Sequence, residues 1–225
     1  MAMRTASAGP TAASPATAPS SAPTTPASVI APETATIASR VADPGPLGLA
    51  AFAMTTFFLS VVNAGLVPAS VTSGMLALAF FYGGVAQILA GMWEFIKGNT
   101  FGAVAFTSYG AFWMAVWYLI DRGVLAGMGA DEGKGFGLFL LGWTIFTVYM
   151  FICSTRTSGV LIAVFGALAL TFLFLTIGAF GASSGMTKVG GWLGLLTALL
   201  GWYGSMAGVM NATAKRVVLP TFPRA

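Results

Sequence analysis

Phe52, Thr56, Leu59 and Asn63 recur at intervals of four, three and four, with Thr55 and Ser60 beside them. That spacing puts the four on one face of a helix. A second group comprises Thr107, Ser108 and Tyr109, with Trp113 four residues after the tyrosine, and a third holds Thr144 and Thr147. Hydroxyls, one amide and aromatic rings supply hydrogen-bond partners without fixed charge. Such groups can replace part of the hydration of a small polar solute in a narrow passage. They can also bond between helices or back to their own backbone. For any single Thr that structural use is the expected one; for the set, the two readings stand level. Catalysis and metal binding are disfavoured. The chain has no His and one Cys, Cys153, so neither a His or multi-Cys metal site nor a His-based nucleophile–base pair can be assembled. No cofactor and no enzymatic activity are expected.

Composition says which elements must position these residues. Hydrophobic residues make up 57% of the chain and charged residues 7%, with a mean hydropathy of +0.87. A soluble domain is roughly 25% charged, so this chain cannot coat itself for water and needs lipid as its solvent. Six apolar runs are each long enough for about 30 Å of hydrocarbon: 47–67, 74–93, 101–120, 136–153, 160–181 and 192–211. They are continuous, without the alternation of a transmembrane barrel. The expected fold is an all-α membrane protein of six transmembrane helices, residues 43–213. Residues 1–42, rich in Ala, Thr, Ser and Pro and lacking aromatics, form an expected disordered tail. Residues 214–225 are read as a short basic tail. The net charge of +4 is scattered and makes no footprint for nucleic acid. Arg40, Lys97, Arg156, Lys215 and Arg216 fall on one side of the six spans, and Arg122, Lys134 and Lys188 on the other. The basic excess places both termini in the cytoplasm.

Small residues indicate how the helices meet. In the sixth run Gly194, Ala198, Gly201, Ser205 and Gly208 form a stripe where another backbone can come close. In the second, Gly83, Gln87, Ala90 and Glu94 form a partly polar stripe that must face protein or water. Glu94 lies at the end of that run with Lys97 three residues on. The first reading is an ion pair at the membrane surface; the second is gating or proton handling by Glu94. No carboxylate falls at mid-membrane, which argues against a buried acid relay.

The run Asp43-Pro-Gly-Pro-Leu-Gly-Leu, with Phe52 and Met54-Thr-Thr, resembles the Asn-Pro-x-Pro-Leu-Gly-Leu signature of the acetate uptake transporter family. Phe81-Tyr-Gly-Gly-Val-Ala-Gln-Ile, Glu94 with Lys97-Gly-Asn-Thr-Phe-Gly, and Ala105-Phe-Thr-Ser-Tyr-Gly-Ala-Phe-Trp are similar to the same family. The likeness covers Asp43 to Pro220 and departs from the signature in Asp43, where a carboxylate replaces the Asn amide. The resemblance implies a pore through each six-helix protomer, a homohexamer in the cytoplasmic membrane, and uptake of acetate, with succinate or other short carboxylates, accompanied by protons. It further implies a hydrophobic constriction of Phe, Tyr and Leu, at Phe52, Tyr109 and Leu168. The residues alone leave a channel for a neutral solute such as urea or an amide as the alternative, and a scaffold or sensor without transport as a third reading.

Overall fold

The computed structural model describes Gly9 and residues 37–224. Most of the tail expected over 1–42 therefore lies outside the described residues. Its last part holds a short helix, Ile37–Arg40, so ordered structure begins ahead of the Asp43–Pro44 start read from the sequence. Among the described residues six helices are long and apolar enough to cross a membrane: α1 Gly45–Asn63, α2 Ala69–Lys97, α3 Thr100–Asp121, α4 Gly129–Ser154, α5 Gly159–Phe180 and α6 Ser184–Ala214. Each contains most of one run read from the sequence. The chain is a multi-pass membrane protein.

Local chemistry sets the helix ends. Asp43 Oδ1 accepts the Gly45 N–H at 2.9 Å, at the start of α1. Gly98 ends α2 in the left-handed conformation, φ 74°, which glycine adopts without steric penalty. The next residue, Asn99, caps α3 by accepting the Gly102 N–H at 3.1 Å. Ser158 caps α5 and Ser183 caps α6 in the same way. Within α2 the turns at Phe81–Ala86 widen to π-helix. Such local widening is frequent at functional sites.

The helices pack around a closed circuit. α6 lies against both α1 and α5, α5 against α4, and α2 against both α1 and α3. α3 and α4 meet mainly through rings: Phe112 stacks on Phe139 at 5.7 Å, and Tyr109 meets Trp143 at 5.9 Å. The small-residue stripe of α6 works within the protomer. A Cβ on Gly201 would lie 3.1 Å from Ala53 Cβ, and one on Gly208 would lie 2.6 Å from Pro46 Cγ. Gly194 sits against Ser60, and Gly191 against the Ala64 backbone. In membranes such close contact supplies the van der Waals attraction that holds helices together. On α2, Gly83 packs on Thr55 of α1 and Gly91 on Thr107 of α3.

The segment read as a basic tail is folded back. Val218 and Leu219 donate their N–H groups to Asn211 Oδ1 at 2.7 and 3.0 Å, and Pro223 forms an antiparallel bridge with Ser158. The composition of 214–225 hid these contacts, because the backbone makes them.

Candidate functional site

Among the described residues, two cavities stand out inside the circuit. The larger, about 250 Å³, opens among Asp43, Glu94, Asn99, Ser158 and Thr221 and reaches inward to Phe52, Tyr109 and Leu168. The smaller, about 30 Å³, is lined by Thr56, Leu59, Ser60, Asn63, Trp113 and Thr171 among others, and by the same Phe52, Tyr109 and Leu168. Among the described residues, those three alone line both. They come from α1, α3 and α5, alternate helices of the chain, and all three are buried.

The ring is braced from behind. Phe52 and Tyr109 lie 5.8 Å apart at 52°, and Tyr109 also meets Phe146 edge-on at 5.3 Å. The Tyr109 hydroxyl and Thr147 Oγ1 are hydrogen-bonded at 2.9 Å, while Thr147 donates to the Trp143 carbonyl at 2.7 Å. Tyr109 is thus held by α4 on its hydroxyl end and by α1 on its face. Buried polar groups without partners flank the ring on both sides. Gln87 Oε1 belongs to a residue lining the larger cavity; Thr56 Oγ1 and Trp113 Nε1 belong to residues lining the smaller one. Buried polar atoms are normally hydrogen-bonded, so orphans on both sides of the ring suit a passage for something that brings its own hydrogen-bonding groups; a fourth orphan, Thr107 Oγ1, lies outside both cavities, against Gly91.

The residues singled out from sequence separate into three sets. Phe52, Tyr109, Leu168, Thr56 and Asn63 all line cavities, and Glu94 lines the larger one. Thr107 and Ser108 line neither of these two cavities. Thr107 points at Gly91, in the seam between α2 and α3; only Tyr109, of that trio, faces inward between the helices. Thr144 is likewise structural: its hydroxyl donates to the Leu140 carbonyl at 2.8 Å and pairs with Thr176 at 2.9 Å.

Glu94 departs most from its first reading. It is 2% exposed, and among the described residues no ion pair joins it to Lys97. Lys97 donates instead to the carbonyls of Ala38 and Val41, each at 3.1 Å. Glu94 Oε2 accepts from Asn99 Nδ2 at 2.9 Å. Its other oxygen lies 3.5 Å from where a Gly45 Cβ would sit and 2.8 Å from where a Gly102 Cβ would sit. Gly102 therefore makes room for this carboxylate, and Asp43 Oδ1 lies 3.0 Å from the Gly45 position. Helical spacing placed Glu94 near the surface; the turn at Gly98–Asn99 folds α3 over it. Asn99 was missed as its orienting residue, although Gly-Asn-Thr after an apolar run is a legible helix stop and start. Trp113, grouped with Tyr109 from its spacing, lines the smaller cavity; Ser158 and Thr221 were missed as lining residues, since nothing local distinguishes them from loop residues.

Six membrane-crossing helices enclosing two cavities that meet at an apolar ring define a polytopic membrane protein with a solute-sized interior. The chain belongs to the GPR1/FUN34/yaaH family, whose model matches residues 27–224. It is 41% identical over 198 residues to acetate permease A of Emericella nidulans, covering 81% of this chain and 66% of that one. It is 38% identical over 182 residues to the succinate-acetate/proton symporter SatP of Escherichia coli K12, covering 81% of this chain and 96% of that one. The structure of the bacterial acetate channel SatP superposes with a TM-score of 0.75 at 38% identity, covering 80% of this chain and 99% of the other. The chain spans about two thirds of the length of the fungal relatives it matches. The three relatives named above are called a permease, a symporter and a channel.

Proposed function

We propose that this protein carries acetate, and with it succinate or other short carboxylates, across the cytoplasmic membrane together with protons. The solute passes from one cavity to the other through the ring of Phe52, Tyr109 and Leu168. The observation that carries this reading is the sharing of those three side chains, and no others, by two cavities that each hold an unpartnered polar group. The similarity to a succinate-acetate/proton symporter supports the substrate class. An apolar ring offers nothing in place of an ion's lost water, whereas the methyl of acetate can face it while the carboxyl meets Gln87 on one side or Thr56 on the other. The protonated acid needs less desolvation and passes more easily.

In this reading Glu94, oriented by Asn99 and beside Asp43 at the mouth of the larger cavity, handles the proton. Both termini face the cytoplasm, as the loop charges favour, and the protomers assemble as a homohexamer, as the sequence resemblance implies. The test is uptake of radiolabelled acetate into proteoliposomes, with succinate, lactate and urea as competitors. Acetate uptake should fall as pH rises, and the carboxylates should compete while urea does not. Urea flux without acetate flux would establish the neutral-solute channel instead.

A further inference from the structure

The larger cavity is walled partly by a segment outside the six helices. α6 ends at Ala214, and Lys215 turns the chain in the left-handed conformation, φ 53°. The segment 217–224 then returns along the end of the bundle. Asn211 holds its first part through three hydrogen bonds, with Val218 N–H, Leu219 N–H and the Leu219 carbonyl. The Tyr203 hydroxyl donates to the Pro220 carbonyl at 2.8 Å. Beyond that, Gly159 N–H donates to the Phe222 carbonyl at 2.8 Å and Arg224 N–H to the Thr157 carbonyl at 2.9 Å, on either side of the Ser158–Pro223 bridge. Leu219 and Thr221 are half-buried, while Val218, Pro220 and Phe222 are exposed. The side chains of the segment thus alternate between facing the bundle and facing out, around an isolated bridge rather than a regular strand. Thr221 and Ser158 both line the larger cavity, beside Glu94 and Asp43.

Two features favour local opening of this segment without disturbance of the helices. It is anchored by hydrogen bonds rather than by buried apolar side chains: Val217 and Phe222 are 76% and 63% exposed. Segments with few buried apolar contacts and exposed backbone bonds are the ones that open locally. Phe222 also sits at φ 54°, an unfavourable region for a bulky residue, and its bond from Gly159 holds it there. A Cβ on Gly159 would stand 3.0 Å from Phe222 Cβ, so the two chains fit closely only because residue 159 is glycine.

We propose that the C-terminal segment 217–224 is a gate strap: docked, it narrows the mouth of the larger cavity between Thr221, Ser158 and Asp43; lifted, it admits solute. This rests on reading that cavity as the solute path. The test therefore includes a measurement that needs no substrate. In a Cys153→Ser background, Val164→Cys places a thiol on the wall of the larger cavity. Its reaction with a cationic methanethiosulfonate is followed by peptide mass. Access scales with the fraction of molecules whose strap is lifted, so ending the chain after Arg216 should speed labelling by about fivefold or more. Asn211→Ala, which removes three anchors but leaves the helices, should give an intermediate rate.

The opposite manipulation locks the strap. Ser158 and Pro223 face each other between flanking hydrogen bonds, a non-hydrogen-bonded antiparallel pair with Cα atoms about 4.5 Å apart, within disulfide reach. Oxidised Ser158→Cys with Pro223→Cys should slow labelling at residue 164 and lower acetate uptake, and reductant should restore both. Equal labelling rates in the truncated, Asn211→Ala and locked proteins would overturn the gate. If the labelling pattern appears while the unmodified protein carries no acetate, the gate stands and the carboxylate reading falls.

Discussion

The two cavities differ in the means by which they meet a solute. The larger one is edged by two carboxylates, Asp43 and Glu94, and by side-chain amides at Gln87 and Asn99. The smaller one contains no charged lining residue and offers hydroxyls, one amide and the Trp113 ring. About 250 Å³ on one side faces about 30 Å³ on the other. A hydrated carboxylate fits the first; only a largely stripped one fits the second. In the proposed pathway, selection by charge and hydration would belong to the wide side, and selection by size to the ring and the tight side beyond it.

Filling the seam behind the tight side should have the largest effect. A Cβ on Gly194 meets Ser60 and Thr171, both of which line the smaller cavity. Gly194→Leu should lower thermal stability in detergent, as expected for overpacking of about 1–3 kcal/mol or more, and abolish uptake. Gly201→Leu, opposite Ala53 nearer the wide side, should also destabilise, and a wild-type melting curve for both would show that α6 does not pack on α1 as described.

Opening the ring should merge the two cavities. Leu168→Ala removes a side chain shared by both, and the ratio of succinate to acetate flux should rise by roughly tenfold, the equivalent of about 1.4 kcal/mol in the barrier. Unchanged ratios in Leu168→Ala, Phe52→Ala and Tyr109→Ala, each normalised to folded protein, would remove the ring as the site of selection.

On the wide side, Glu94→Gln keeps the shape and the Asn99 contact but cannot take up a proton. Under the proposed proton role, uptake falls from acid to neutral pH as Glu94 loses its proton, so the variant should flatten that fall while protein amount stays constant. A parallel pH curve would return Glu94 to a purely structural role. On the tight side, Thr56→Val deletes an unpartnered hydroxyl at nearly constant volume. Acetate flux should drop about fivefold, as for one lost hydrogen bond of about 1 kcal/mol, with the melting temperature unchanged. Thr107→Val, on the same helix as Tyr109 but outside both cavities, should leave flux within about twofold, as for a position remote from the path.

The sequence by itself determined that the chain crosses a membrane with six helices, because a run of apolar residues long enough for the hydrocarbon core has few other stable uses. It also marked Phe52, Thr56 and Asn63 as one face, because helical spacing is a local property, and Gly201 and its neighbours as a packing stripe, because small residues at that spacing admit a backbone. Whether a polar side chain then faces a cavity, a seam or lipid depends on the rotation of its helix against its neighbours, which adjacent residues do not record. Thr107 and Tyr109 are two residues apart, yet one meets Gly91 and the other the ring. Glu94 was legible as a carboxylate at a helix end, but the room for its side chain depends on Gly102, which comes from another helix. The residues 217–224 look like a loose end in composition, and only the tertiary structure decided otherwise, because backbone hydrogen bonds to Asn211 and α5 carry no signature in side-chain type.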